Sequence, residues 1–115
     1  MLTVRTESVE AMQSDRLSLA NRKLVTYAEQ RFPTVFKPQQ PERTRKLVEK
    51  IRAQAAGRGI TREDNVATMI DLVTMFGLDF DKAPWAADVL SNAKLAGPDK
   101  ISILRRRLNQ RGVKL

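Results

Sequence analysis

Thr61-Arg62-Glu63-Asp64-Asn65-Val66-Ala67-Thr68-Met69-Ile70-Asp71-Leu72-Val73-Thr74-Met75-Phe76-Gly77 is the stretch whose pattern decides the fold. Wound as a helix, Val66, Met69, Ile70, Leu72, Val73 and Phe76 cover more than half of the circumference. A surface helix carries a narrower apolar stripe. The pattern therefore predicts a central helix enclosed by its neighbours, with Gly77 closing it just past the last turn. Thr61 with Asp64 three residues on reads as a variant capping box, Asp replacing the usual Glu, and Ile60 ahead of it can pack back on Asn65 or Val66.

On the N-terminal side, a second long helix is expected from Pro41 and Glu42, residues suited to a first helical turn. Leu47, Val48, Ile51 and Ala55 form its narrow buried stripe, and Gly57 and Gly59 supply a left-handed closure. Pro33, Pro38 and Pro41 make Thr34 to Gln40 an extended connection, with Val35 and Phe36 as its anchors in the core. Before it, Leu17, Ala20, Leu24, Tyr27, Ala28 and Phe32 recur at helical spacing within an amphipathic helix from Arg16 to Phe32. A short helix from Thr6 or Ser8 to about Met12, broken by Ser14-Asp15, is expected to precede it.

On the C-terminal side, Lys82 to Leu90 reads as a short helix with Asp81 as its cap and Pro84 in its first turn. Gly97-Pro98-Asp99 punctuates the chain, and a last helix from Asp99 to about Arg111 aligns Ile101, Leu104 and Leu108 beside Ile103, with Gly112 as its stop. No segment alternates with period two, and no repeat is present. The expected fold is all-α: one small helical bundle of five or six helices, with residues 1–115 as a single domain.

Composition narrows the chemistry. The chain has no His and no Cys, which excludes a thiol nucleophile, a Ser-His pair, a disulfide framework and a zinc site of the usual ligands. Asp79 and Asp81, with Asp71 and Asp88 in range, suggest a hard-cation site, but the spacing fails an EF-hand test: counted from Asp79, the fifth, sixth and twelfth positions are Ala83, Pro84 and Leu90. No cofactor and no metal are expected, and no enzyme activity. No apolar run approaches the roughly 20 residues of a membrane-spanning helix. The opening Met1-Leu2-Thr3-Val4-Arg5-Thr6-Glu7 lacks the layout of a secretory signal, so a cytoplasmic protein with no membrane partner is expected.

The formal net charge is +8, and it is unevenly spread. Residues 34–60 hold seven basic and two acidic residues, residues 93–115 seven and one, whereas residues 61–92 hold two and six. Two basic rows result. Arg43, Lys46 and Lys50 share a face of the second long helix, and Arg105, Arg106, Arg107 and Arg111 crowd the last one, followed by Lys114. Three consecutive arginines fan over about 200° of a helix, so some of them can instead face Asp71, Asp79 or Asp88. Such rows attract an acidic protein partner. Nucleic acid is the weaker expectation, because the aromatic or amide side chains that read bases are sparse beside the arginines. Trp85, the sole Trp, either pins its short helix to the core or anchors a partner. The candidate partner-binding residues are thus Arg43, Lys46, Lys50, Arg105, Arg106, Arg107, Arg111 and Trp85.

Ile70-Asp71-Leu72, Phe76-Gly77-Leu78-Asp79-Phe80-Asp81 and Pro84-Trp85-Ala86 together resemble small α-helical accessory proteins encoded beside type VI secretion spike, tip-protein and effector genes of Gram-negative bacteria. Leu2-Thr3-Val4-Arg5-Thr6-Glu7 and Arg31-Phe32-Pro33 are similar too, and the likeness spans about two thirds of the chain. Its most specific piece is the string Gly-x-Asp-Phe-Asp-x-x-Pro-Trp-Ala at residues 77–86; the basic stretch from Lys37 to Arg58 departs from the pattern. The resemblance implies an adaptor or co-chaperone for loading an effector, with the effector, its chaperone or the spike tip protein as partner. An immunity protein that neutralises a neighbouring toxin fits the same gene neighbourhood.

Overall fold

The computed structural model describes residues 19–115. Among them are five α-helices, one 3-10 turn and no strand, the all-α class that the periodicity predicts. Helix α1 covers residues 19–31, α2 Pro41–Ala56, α3 Glu63–Phe76, α4 Pro84–Leu90 and α5 Gly97–Gln110; the 3-10 turn is Phe80–Lys82. The chain divides into two compact units at the Arg45–Lys46 bond, inside α2. The expected helix from Thr6 to Met12, the Ser14-Asp15 break and Leu17 lie outside the described residues.

In the first unit, Leu24 and Ala28 on α1 are buried, as the spacing predicts. Helix α1 ends ahead of Pro33, and the chain turns tightly because the Val35 and Phe36 N–H groups both donate to the Phe32 carbonyl, at 3.1 and 2.9 Å. That turn separates the two expected anchors. Phe36 is buried, with its ring 6.4 Å from that of Phe32, whereas Val35 is 56% exposed, because neighbouring residues in a turn point opposite ways.

The second unit is built around α3. Val66, Met69, Ile70 and Leu72 have no exposed surface and Val73 only 6%, so this helix is enclosed as its pattern requires. Burying side chains of this kind contributes roughly 1.5–3 kcal/mol each. The ends of α3 differ from expectation. Arg62, not Thr61, is the N-cap, and it makes no side-chain cap bond. With the helix starting at Glu63, Asp64 lies in its first turn, where the carboxylate accepts from the Asn65 N–H at 3.0 Å and from Arg62 at 3.2 Å. The acidic pair Glu63 and Asp64 suits the positive helix end without a capping box. Phe76, in the last turn as the helix leaves the core, is 41% exposed, so it is not a core residue.

Val48, Ile51 and Ala55 of α2 are fully buried, whereas Leu47 is only half-buried. The helix closes at Gly59 alone: its φ is +77°, its N–H donates to Ala56 at 3.0 Å, and the Ile60 N–H donates to Ala55 at 2.9 Å. These are the two bonds of a Schellman motif, and they deliver Ile60 into the core with no exposed surface. Gly57 has no positive φ, so the expected second left-handed glycine is corrected. Asp81 does not cap α4; Ala83 does, without a side-chain bond, and Pro84 takes the first turn. Helix α5 starts two residues earlier than predicted, with Gly97 and Pro98 inside its first turn. Ile101, Leu104 and Leu108 are buried on it. Gly112 repeats the Schellman closure, φ +80°, through Gly112 to Asn109 and Val113 to Leu108 bonds of 3.0 and 2.9 Å.

Candidate functional site

The cations sort into those the fold consumes and those it leaves outward. Asp81 sits in the 3-10 turn and receives Arg58 at 2.8 Å and the Gln54 amide at 3.2 Å, an arrangement with side chains 30% and 13% exposed for the ion pair. The carboxylate that resembled a metal ligand is thus held by a guanidinium. Among the described residues, no group of three or more His, Cys, Asp or Glu is arranged to hold a metal ion. Asp79 meets Lys82 at 3.7 Å, largely in solvent. Arg52 meets Glu63 in a two-bond fork of 2.8 and 2.9 Å, joining α2 to α3.

On α5 the three consecutive arginines separate as helical geometry requires. Arg105 donates to the Thr68 hydroxyl of α3, and Thr68 in turn donates to the Asp64 carbonyl at 3.2 Å. Arg107, about 200° round the helix from Arg105, forks onto Asp88 of α4 at 2.7 and 3.0 Å and also donates to the Trp85 carbonyl at 2.8 Å. Of the three acidic residues named for this cluster, Asp88 takes Arg107. The hydrogen bond from Arg107 holds the Asp88 carboxyl below its ordinary value of 3.8, with the charge of Arg107 reinforcing it, although desolvation opposes the shift. Arg106, between the two, points to solvent and has no partner among the described residues.

Trp85 packs at the junction of α3, the 3-10 turn and α4. Its ring stacks on Phe80 at 6.0 Å and 28° and receives the edge of Phe76 at 5.2 Å and 63°. Trp85 therefore pins its short helix, and the part of it left accessible lies in a groove. That groove, about 440 Å³ in volume, is lined by Pro84, Trp85, Asp88, Arg107, Gln110 and Arg111. Three of these, Trp85, Arg107 and Arg111, are candidates that the sequence named, and the structure brings them together. Pro84, Asp88 and Gln110 complete the lining; for Asp88 and Gln110 the helical spacing to Trp85 and Arg107, three residues each, is the signal that could have found them. A second concavity, about 420 Å³, is lined by Arg105, Asn109, Val113, Lys114 and Leu115.

The α2 row is distributed over the two units. Arg43 is exposed in the first; Lys46 and Lys50 are exposed in the second, and among the described residues no carboxylate is paired with any of the three. Comparison of the chain with protein-family models, with curated proteins and with solved structures found no match. No helix among the described residues is long and apolar enough to cross a membrane. What the surface offers is electrostatic and aromatic: outward cations at Lys46, Lys50, Arg106 and Arg111, and a ring held rigidly beside one of them.

Proposed function

We propose that this chain is a non-enzymatic protein-binding accessory, an adaptor or co-chaperone that helps load a type VI secretion effector. The observation that carries the protein-binding part is the division of the cations. After Arg52, Arg58 and Arg107 have each met an internal carboxylate, Lys46, Lys50, Arg106 and Arg111 still face outward without one among the described residues. Outward charge of one sign speeds encounter with an oppositely charged surface, and apolar contacts then set the lifetime of the complex. The secretion context rests on the Gly77-to-Ala86 string and the segments that accompany it. The partner in this reading is acidic: the effector, its chaperone or the spike tip protein.

Affinity capture from the source cells, followed by mass spectrometry, tests the reading. Recovery of a secreted effector, its chaperone or a tip protein in a stoichiometric complex is expected, and reversal of Lys46, Lys50, Arg106 and Arg111 to Glu should weaken that complex at least about tenfold. A captured toxin whose activity the chain blocks would turn the reading to an immunity protein. Recovery of nucleoid or ribosomal material alone, with gel shifts that weaken steeply between low and moderate salt, would replace it with nucleic-acid binding.

A further inference from the structure

We infer that the Trp85–Arg111 groove is the docking site for an acidic segment of the partner protein, one that sets a carboxylate against Arg111 and an apolar side chain along the Trp85 ring. This rests on the protein-binding reading and gives it a place and a chemistry.

The two arginines of the groove differ in what they are free to do. Arg107 is fixed by three hydrogen bonds, two to Asp88 and one to the Trp85 carbonyl, and its charge is answered there. Arg111 lies four residues on, as the C-cap just past the end of α5, and lines the same groove, exposed and with no partner among the described residues. A guanidinium in that state presents a planar fork that matches a carboxylate. The groove therefore has one open position for an anion, with an immobilised ion pair as its wall.

Its aromatic side is already ordered. The Trp85 ring is held by its stack on Phe80 and its edge contact with Phe76, so a ligand that meets its accessible part need not freeze it first. Phe76, whose ring meets the indole at 5.2 Å, is itself 41% exposed. Trp and Arg are the residue types that most often carry binding energy at protein interfaces. Charge selects the occupant. Residues 93–115 hold seven basic residues and one acidic, which favours an anionic segment over a neutral or cationic one. Asp88, which also lines the groove, then sets its polarity. A peptide can place its carboxylate at Arg111 and an uncharged residue beside Asp88, whereas a nucleic-acid strand would carry successive phosphates past both.

The test uses the full chain against displayed random peptides of about a dozen residues. Enriched peptides should combine Asp or Glu with an aromatic or aliphatic residue. Synthesised without tryptophan, they should shift the emission of Trp85, the sole Trp of the chain. Arg111→Glu should weaken them at least about tenfold, while Lys94→Glu, exposed in the α4–α5 connection and outside the groove lining, should change affinity less than about twofold. The groove is overturned if no peptide is enriched, if the enriched set lacks acidic residues, if Trp85 emission does not respond, or if Arg111→Glu binds as well as the parent. Should any of these occur while the Lys46→Glu, Lys50→Glu variant loses a captured effector complex, protein binding stands and only the groove falls. An effector capture that fails altogether, with peptides still bound through Arg111, would have the reverse meaning.

Discussion

A β-carbon on Gly97 would stand 2.2 Å from the Gly59 carbonyl oxygen and 2.9 Å from its carbonyl carbon, both backbone atoms that cannot rotate aside. Gly97 lies within the first turn of α5, where alanine would gain roughly 0.5–1 kcal/mol of helix propensity over glycine. Overpacking of this severity costs about 1–3 kcal/mol, occasionally more, and here the contact is backbone on backbone. The clash wins. Gly97→Ala should destabilise the chain by about 2 kcal/mol or more, a fall in Tm on the order of 10 °C. Gly57 is the matched control, because its β-carbon would meet nothing nearer than 3.5 Å and its φ is ordinary. Gly57→Ala should be neutral or stabilising by about 0.4–1 kcal/mol. Thermal unfolding followed by circular dichroism checks both, and a Gly97→Ala chain as stable as the parent would mean that α5 does not approach the Gly59 peptide so closely. Sequence alone could not rank these glycines. Gly97 reads as punctuation before a proline, and its real role, close approach, depends on a residue 38 positions away.

At the scale of elements, the helices were legible wherever a long apolar period ran through them. The enclosure of α3 and the stripes Val48-Ile51-Ala55 and Ile101-Leu104-Leu108 follow from spacing. Helix ends were not legible, because Thr61 and Asp81 each have the right chemistry for a cap but lie one and two residues before the residue that caps the helix, and packing decides between them. The polar member of the buried α5 stripe was also missed. Lys100 precedes Leu104 by four residues and Leu108 by eight, on the same face, and is 4% exposed. Its ammonium donates to the Arg58 carbonyl at 2.8 Å and to the Leu90 carbonyl at 3.0 Å. It thus ties the start of α5 both to the α2–α3 connection and to the last residue of α4, where a cation favours the negative helix end. Beside it, the Gly97 contact and the Arg58–Asp81 pair bind the same connection, so residues 58–60 are where α2, α5 and the 3-10 turn are held in register. Lys100→Met keeps the stem but leaves two carbonyls without this donor, each worth about 1–3 kcal/mol when buried and unmatched. Removing a buried charge recovers part of that. A net loss of about 1–3 kcal/mol in urea unfolding is expected, and a Lys100→Met chain at least as stable as the parent would show that the two bonds do not hold the elements together.

For the whole molecule, attraction and repulsion between charges have different ranges, and that difference predicts how salt acts. The attractions are short: Arg45–Glu42 at 2.6 Å, Arg52–Glu63 at 2.8 Å, Arg58–Asp81 at 2.8 Å and Arg107–Asp88 at 2.7 Å. Contacts of that length lie well inside the Debye length, which falls from about 30 Å at 0.01 M to about 8 Å at 0.15 M, so screening removes only part of them. Exposed pairs contribute about 0–1 kcal/mol each in any case. The repulsion among the charges of a +8 chain is instead a sum over many pairs, and for those farther apart than the Debye length screening at physiological salt removes most of it. Thermal stability at pH 7 should therefore rise by a few degrees from about 0.01 to 0.15 M sodium chloride. The same change of salt should slow association with an acidic partner, since steering is a long-range effect, while the dissociation rate moves less. Opposite signs for stability and association rate are the signature of outward charge left uncompensated by the fold. A Tm that falls over the same range would mean that the short ion pairs, not the surplus cations, dominate the electrostatics, and would remove the basis for reading Lys46, Lys50, Arg106 and Arg111 as charges held for a partner.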